Sequence, residues 1–152
     1  MRVLAVGRSR ASPEMEMFAR YAARIKPVLT LQEFDDGHGS PAEIKRREAL
    51  ALLAAVSAQD FVVALDGGGA APDSLELARW LTRWGEAGRR QSFIIGGAEG
   101  LDRAVIARAD ATISLGPLTW PHMLVRPMLA EQIYRAQMIA RGHPYHRAGR
   151  PQ

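Results

Sequence analysis

Residues 92–101 read Ser-Phe-Ile-Ile-Gly-Gly-Ala-Glu-Gly-Leu, and this stretch decides the fold. Ser92–Ile95 is too short and too evenly apolar for a surface helix; it reads as a strand buried on both faces. Glycines 96, 97 and 100 end it, and a helix is predicted over about Asp102–Arg108. The same succession stands on either side. Upstream, Phe61–Leu65 is a β-branched and aliphatic run, Asp66–Pro72 is a loop with three consecutive glycines, and Asp73 caps a helix over Ser74–Glu86. Downstream, strand Ala111–Leu115 leads through the loop Gly116–Pro121 into a long helix, His122–Arg141, stopped by Gly142. Toward the N-terminus lie strand Val3–Val6, helix Glu14–Ile25 entered through Ser12–Pro13, and strand Val28–Phe34. A further helix runs from Pro41 to about Ala58 behind a Ser40/Glu43 capping box. Strand and helix alternate throughout, which predicts an α/β fold: a mostly parallel sheet with helices on both faces, in a single domain over residues 1–152.

Composition agrees with one globular domain. The chain has 152 residues, 47% apolar and 24% charged, so a disordered or fibrous chain is excluded. It contains no cysteine, which excludes disulfide frameworks, thiolate metal sites and thiol nucleophiles. No apolar run reaches the ~18 residues of a membrane span. The N-terminus lacks the pattern of a secretory signal, so a cytoplasmic location is expected.

The charge is unevenly placed. Residues 1–121 carry 15 basic and 15 acidic side chains, whereas residues 122–152 carry Arg126, Arg135, Arg141, Arg147 and Arg150 against Glu131 alone. The whole net charge of +4 therefore belongs to the last segment. A one-sided basic end suits a phosphate-bearing partner, and equally a solvated basic tail.

Three glycine-bearing loops follow three apolar strands: Asp66–Ala71, Gly96–Gly100 and Gly116–Pro121. Ligands of open α/β sheets sit outside the carboxyl ends of strands, where glycines let backbone amides approach them. One such loop turns a corner; three in succession favour a common pocket. It is not a phosphate cradle, because neither GxxxxGK[ST] nor GxGxxG is present. The third loop, Gly116-Pro117-Leu118-Thr119-Trp120-Pro121, is apolar and pinned by two prolines. That suits a flat heterocycle and a thioether. His143 and His146 have an HxxH spacing but no carboxylate partner, so no metal is expected; His122, at the start of the last helix, reads as structural. Apolar residues surround most of that helix, among them Met123, Leu124, Met128, Leu129, Ile133 and Met138. Such a helix requires burial on more than one side, through a second copy of the chain as a two-fold dimer or through deep packing within one copy; the dimer is the expectation.

On these loops and the tail the chain resembles the RlmH family of bacterial ribosomal RNA methyltransferases, within the SPOUT superfamily. The matching stretches are FIIGGAEGL (Phe93–Leu101), SLGPLTWPHMLVR (Ser114–Arg126), EQIYRA (Glu131–Ala136) and HPYHR (His143–Arg147), with Val62–Asp66 and the N-terminal VLAVG also fitting. The resemblance covers the chain in length and element order. It implies a homodimer with a C-terminal trefoil knot. It further implies methyl transfer from S-adenosyl-L-methionine to N3 of a pseudouridine in 23S rRNA within the ribosome, with no membrane and no metal involved. The implied cofactor contacts are Leu65, Gly96, Gly97, Gly116, Pro117, Leu118, Thr119, Trp120 and Pro121. Tyr145, His146 and Arg147 carry over as the catalytic tail that reaches the target nucleotide, in the partner's site; Arg126, Arg147 and Arg150 are the expected RNA contacts. For the transfer itself, His146 as a base and Arg147 as a stabiliser of charge or phosphate are both open.

The chain departs from the family at three places. The loop after Asp66 lacks a lysine and serine pair common in relatives, Pro127 follows Arg126 where relatives carry an aliphatic residue, and AGRPQ extends beyond Arg147. The first puts RNA contacts by that loop in question, and the second predicts a helix start or kink at Pro127. Two rivals remain: a non-catalytic ribosome-binding SPOUT module, which would not bind the cofactor, and a small-molecule enzyme with a nucleotide cofactor, which would act without RNA.

Overall fold

A computed structural model describes residues 1–147. Arg150, expected to touch RNA, lies outside the described residues. The elements, in chain order, are β1 (Arg2–Val6), α1 (Pro13–Ala22), β2 (Thr30–Phe34), α2 (Pro41–Ala55), β3 (Phe61–Ala70), α3 (Ser74–Glu86), β4 (Gln91–Ile95), α4 (Arg103–Arg108), β5 (Ala111–Ile113) and α5 (His122–Ala140). The five strands form one sheet in the order β2-β1-β4-β3-β5, and every pairing is parallel.

Alternate residues of the central strands face opposite sides, so the sheet carries two cores. Val3, Ala5, Val63, Phe93 and Ile95 pack with α1, α3 and α5 on one side. Leu4, Val6, Val62, Ala64 and Ile94 pack on the other with Ala49 and Leu52 of α2 and Leu101 and Val105 around α4. All five residues of β4 are buried, as its uninterrupted apolar run requires.

The helix starts follow local chemistry. The Ser12 hydroxyl accepts from the Met15 N–H at 3.3 Å. The Glu43 carboxylate accepts from both the N–H and the hydroxyl of Ser40, at 2.9 and 2.7 Å. Asp73 and Glu76 cap one another reciprocally.

Five expected boundaries need correction, and the plainest is that of β5, which ends at Ile113 rather than Leu115. Helix α1 ends at Ala22 rather than Ile25, because Arg24 and Ile25 turn back on the carbonyls of Tyr21 and Ala22. Helix α2 gives way to extended backbone at Val56. Strand β2 begins at Thr30, not Val28, which is exposed. Most consequential, Asp66–Ala70 is not a free loop but the second half of β3. The strand bulges, so that both Leu65 and Ala70 pair with Ile113 of β5. Gly69 permits this: a Cβ there would stand 2.7 Å from the Ile113 nitrogen.

Helix α5 lies between α1 and α3 on one face of the sheet. Leu129, Ala130, Ile133, Tyr134, Ala136 and Met138 are buried by this chain alone. Deep packing therefore accounts for much of the apolar circumference that suggested a second copy. The helix starts at His122 rather than at Pro127, and it continues through Pro127, whose ring is buried.

Candidate active site

The bulged middle of β3, at Leu65–Gly67, and the loops after β4 and β5 line one cavity of about 340 Å³. Its size falls within the range of small-molecule sites. Two of the three expected loops therefore meet there as loops, and the first contributes through a bulged strand. Leu65, Gly96, Gly97, Gly116, Pro117, Leu118, Thr119 and Trp120 form its wall, together with Asp66, Ser114, His122 and Val125. Pro121 is not on the wall; it is the N-terminal flank of α5.

The third loop is held in shape by its own bonds as well as its prolines. The buried Ser114 hydroxyl donates to the Gly116 carbonyl at 2.9 Å, and the Trp120 indole N–H donates to the Leu115 carbonyl at 3.3 Å. Leu118 and Trp120 remain exposed, at 67% and 38%. A Cβ at Gly67 or Gly116 would meet nothing within 4 Å, so both leave open room beside the backbone. Gly97 is the reverse case. A Cβ there would come within 2.9 and 3.0 Å of the two Glu48 carboxylate oxygens and 3.0 Å of Val6 Cγ1. Only glycine lets the chain pass so close to Glu48. The donor set is therefore backbone amides and apolar walls with few charges, which fits an uncharged heterocycle and a thioether chain and not a phosphate group.

Asp66 and His122 are among the wall residues beyond the expected cofactor contacts. Asp66 bends the backbone by accepting from the Gly68 N–H at 2.9 Å. His122, read as structural, borders the cavity, and its Nε2 lies 2.9 Å from where a Gly7 Cβ would stand. Their places at the end of a buried strand and the start of a helix are the sequence signal that points to them.

The tail occupies a different place. Tyr145, His146 and Arg147 are not on the cavity wall. The Tyr145 hydroxyl donates to Glu131 Oε1 at 3.0 Å and lies 3.3 Å from the Tyr21 hydroxyl. Its ring meets Tyr134 edge-on at 4.9 Å, and the Arg135 guanidinium lies over it at 5.0 Å. Burial, then the Tyr21 and Glu131 contacts, push the Tyr145 phenol well above its ordinary range, so it stays protonated at neutral pH. His146 Nδ1 is 3.5 Å from Arg135 Nη1, and Arg147 is exposed. Glu131 and Arg135, one helical turn apart, thus tether the tail. The EQIYRA stretch contained them, but their contact with the tail is tertiary.

Arg126 requires a correction. Expected to contact RNA, it is 0% exposed. Its guanidinium donates to Glu33 Oε1 at 2.6 Å and to the carbonyls of Val6 and Gly7 at 2.7 and 2.6 Å. It ties α5 to the ends of β1 and β2 and offers RNA nothing. With Arg135 engaged by Glu131, the basic surface of the described tail reduces to Arg141 and Arg147. Among the described residues no group of three His, Asp or Glu side chains could hold a metal ion. No helix among them is long and apolar enough to cross a membrane.

Comparisons with known proteins agree with this geometry. The family model described as "Predicted SPOUT methyltransferase" matches residues 1–146. A protein named ribosomal RNA large subunit methyltransferase H from Gluconacetobacter diazotrophicus is 60% identical over 99% of both chains. One of the same name from Acidiphilium cryptum is 58% identical over 99% of this chain and 96% of its own. Among solved structures, a protein described as a probable methylase from Haemophilus influenzae superposes with a TM-score of 0.57 at 12% identity, over 99% of this chain and 71% of that one. That likeness concerns the fold alone. With a family match over residues 1–146 and relatives at this identity over nearly the whole chain, the chain belongs to the SPOUT methyltransferase family.

Proposed function

We propose that this chain transfers a methyl group from S-adenosyl-L-methionine to N3 of a pseudouridine in 23S rRNA, on the ribosome, as a cytoplasmic homodimer. The observation that carries the reading is the cavity: it unites the bulge of β3 with the loops after β4 and β5 in a family member whose relatives are named for ribosomal RNA methyl transfer. When bound, the cofactor supplies a methyl group on a positively charged sulfur, which is electrophilic without metal or covalent help.

The chain's own task is then to orient and to manage a proton. The apolar third loop and the backbone at Gly96–Gly97 hold the cofactor, with Leu65 at the floor. Pro121 acts from behind, by starting α5 where the loop ends. Tyr145, His146 and Arg147 meet the target nucleotide. Tyr145 serves as a protonated, orienting group rather than a base. Since the tail is tethered away from its own cavity, a second copy supplies it, and the exposed Leu118, Trp120 and Leu124 beside the cavity are the surface that the second copy covers. Threading of the third loop and α5 into a trefoil knot belongs to the same proposal; the packing of α5 between α1 and α3 supports it.

The test is transfer of labelled methyl from S-adenosyl-L-methionine to ribosomes, to naked rRNA and to small metabolites, with Arg147→Ala alongside. Label at pseudouridine N3 in ribosomes, lost in the variant, is expected. No transfer together with failure to bind the cofactor would identify a ribosome-binding module instead, and cofactor binding without transfer to RNA would mean a different acceptor or an enzyme that has lost turnover. Transfer to a metabolite without RNA would identify the small-molecule enzyme.

A further inference from the structure

Glu48 of α2 is 5% exposed, one of the few buried carboxylates in the chain. Its Oε1 accepts from the Gly37 N–H at 3.0 Å. Its Oε2 is buried and has no hydrogen-bond partner among the described residues. No arginine or lysine forms an ion pair with it among the described residues, unlike buried Asp60, which has two arginine partners. An unpaired buried carboxylate is costly, and such groups are normally matched by a cation. Both oxygens lie against Gly97, within 3.0 Å of where its Cβ would stand. Gly97 is cavity wall and Glu48 is not. The carboxylate therefore adjoins a glycine of the cofactor site's wall.

The missing partner is explained if the cation arrives with the ligand. We infer that Glu48 supplies a negative charge that makes the cavity prefer the sulfonium form of the cofactor over its neutral thioether product. This rests on the reading of the cavity as the cofactor site. Loss of the methyl group takes one positive charge off the sulfur, so the attraction present before transfer is absent after it. A single buried charge then favours loading of the methyl donor and release of the spent product, acting through Gly97 as a positioning residue that touches neither. Asp66 is the other carboxylate at this cavity, but it is only half-buried and already accepts a hydrogen bond from the Gly68 N–H. Solvent screens it more.

The test is calorimetric binding of S-adenosylmethionine and S-adenosylhomocysteine to the wild-type chain, Glu48→Gln and Asp66→Asn. Glutamine keeps the shape and the acceptor for Gly37. The Glu48→Gln variant is expected to weaken S-adenosylmethionine about tenfold, while S-adenosylhomocysteine changes by less than about twofold, a size set by one charge acting at short range through protein. Asp66→Asn is expected to move the ratio less. Equal weakening of both ligands by Glu48→Gln would show a merely structural residue and overturn the inference, as would a larger ratio change from Asp66→Asn. A second measurement needs no variant. Sinefungin, in which a carbon replaces the sulfur and a protonated amine takes the place of its methyl group, is expected to bind the wild-type chain more tightly than S-adenosylhomocysteine; a ranking beneath it would overturn the inference. Should the wild-type chain bind none of the three, the cofactor reading falls with it, whereas binding without charge preference sinks only the role given to Glu48.

Discussion

Two buried charged residues illustrate how the same chemistry serves structure here. Asp60 is 2% exposed and holds Arg2 at 2.7 Å and Arg90 at 2.9 Å, with the Ser57 N–H at 3.0 Å. Burial opposes its charged form, and these partners outweigh burial, leaving its pKa at about 2. A carboxyl held below its ordinary value stabilises the fold above pH 4 and loses that contribution as pH falls through about 2. The contribution is about 2 kcal/mol by linkage. Asp60→Asn should therefore be less stable in urea by about this amount at pH 6, with a gap that closes between pH 4 and pH 2; a gap independent of pH would refute the assignment. Arg126 is the second case. Arg126→Met removes the donor to the Val6 and Gly7 carbonyls and one partner of the half-buried Glu33, which keeps Ser9, so it should cost about 2 kcal/mol or more. Lysine cannot reproduce the fork to Glu33 and two carbonyls, and Arg126→Lys should recover little of that loss. The salt dependence of RNA binding separates the arginines: the slope should be unchanged in a folded Arg126 variant and fall by about one contact in Arg147→Ala.

At the scale of elements, the starts of helices were the most legible features. Ser12–Pro13, Ser40 with Glu43, and Asp73 act on amides within a few residues, so sequence alone determines them. The second half of β3 was not legible, because three glycines in a row signal a turn and what makes them a strand is β5, more than forty residues away. The cost of closeness can be measured. Gly69→Val drives a branched side chain into the Thr112–Ile113 backbone. It should destabilise the chain by at least about 2 kcal/mol. It should also detach β5, seen as faster amide exchange at Ile113 and Ser114. Protection equal to wild type would mean that the bulge can absorb a side chain. The third loop lies between these cases: its prolines and Trp120 announced rigidity, but the Ser114 and Trp120 bonds that hold it are seen only in three dimensions.

For the whole molecule, the question is which copy of the tail serves which cavity. One chain keeps Tyr145 against Tyr21 and Glu131, apart from its own cavity wall. If a partner supplies the tail, an inactive tail variant and an inactive cavity variant should complement one another. Mixing Arg147→Ala with Gly97→Val, which would collide with Glu48 and Val6, should restore transfer at about a quarter of the wild-type rate if copies exchange at random and one intact site of two suffices in the mixed dimer. Two inactive parents that stay inactive after verified exchange would place tail and cavity in the same copy.

The alternation of strands and helices, the helix caps, the burial of the central strands on both faces and the loops after β4 and β5 are written in the order of residues. These are local: they rest on periodicity, on φ and hydrogen-bonding preferences, and on the rule that parallel strands present their C-terminal loops together. The order β2-β1-β4-β3-β5, the extension of β3, the burial of Arg126, the tethering of the tail and the place of Glu48 against Gly97 come from the folded chain alone. Each depends on residues distant in the chain, and an arginine or glutamate is written identically whether it meets solvent or is buried against a glycine.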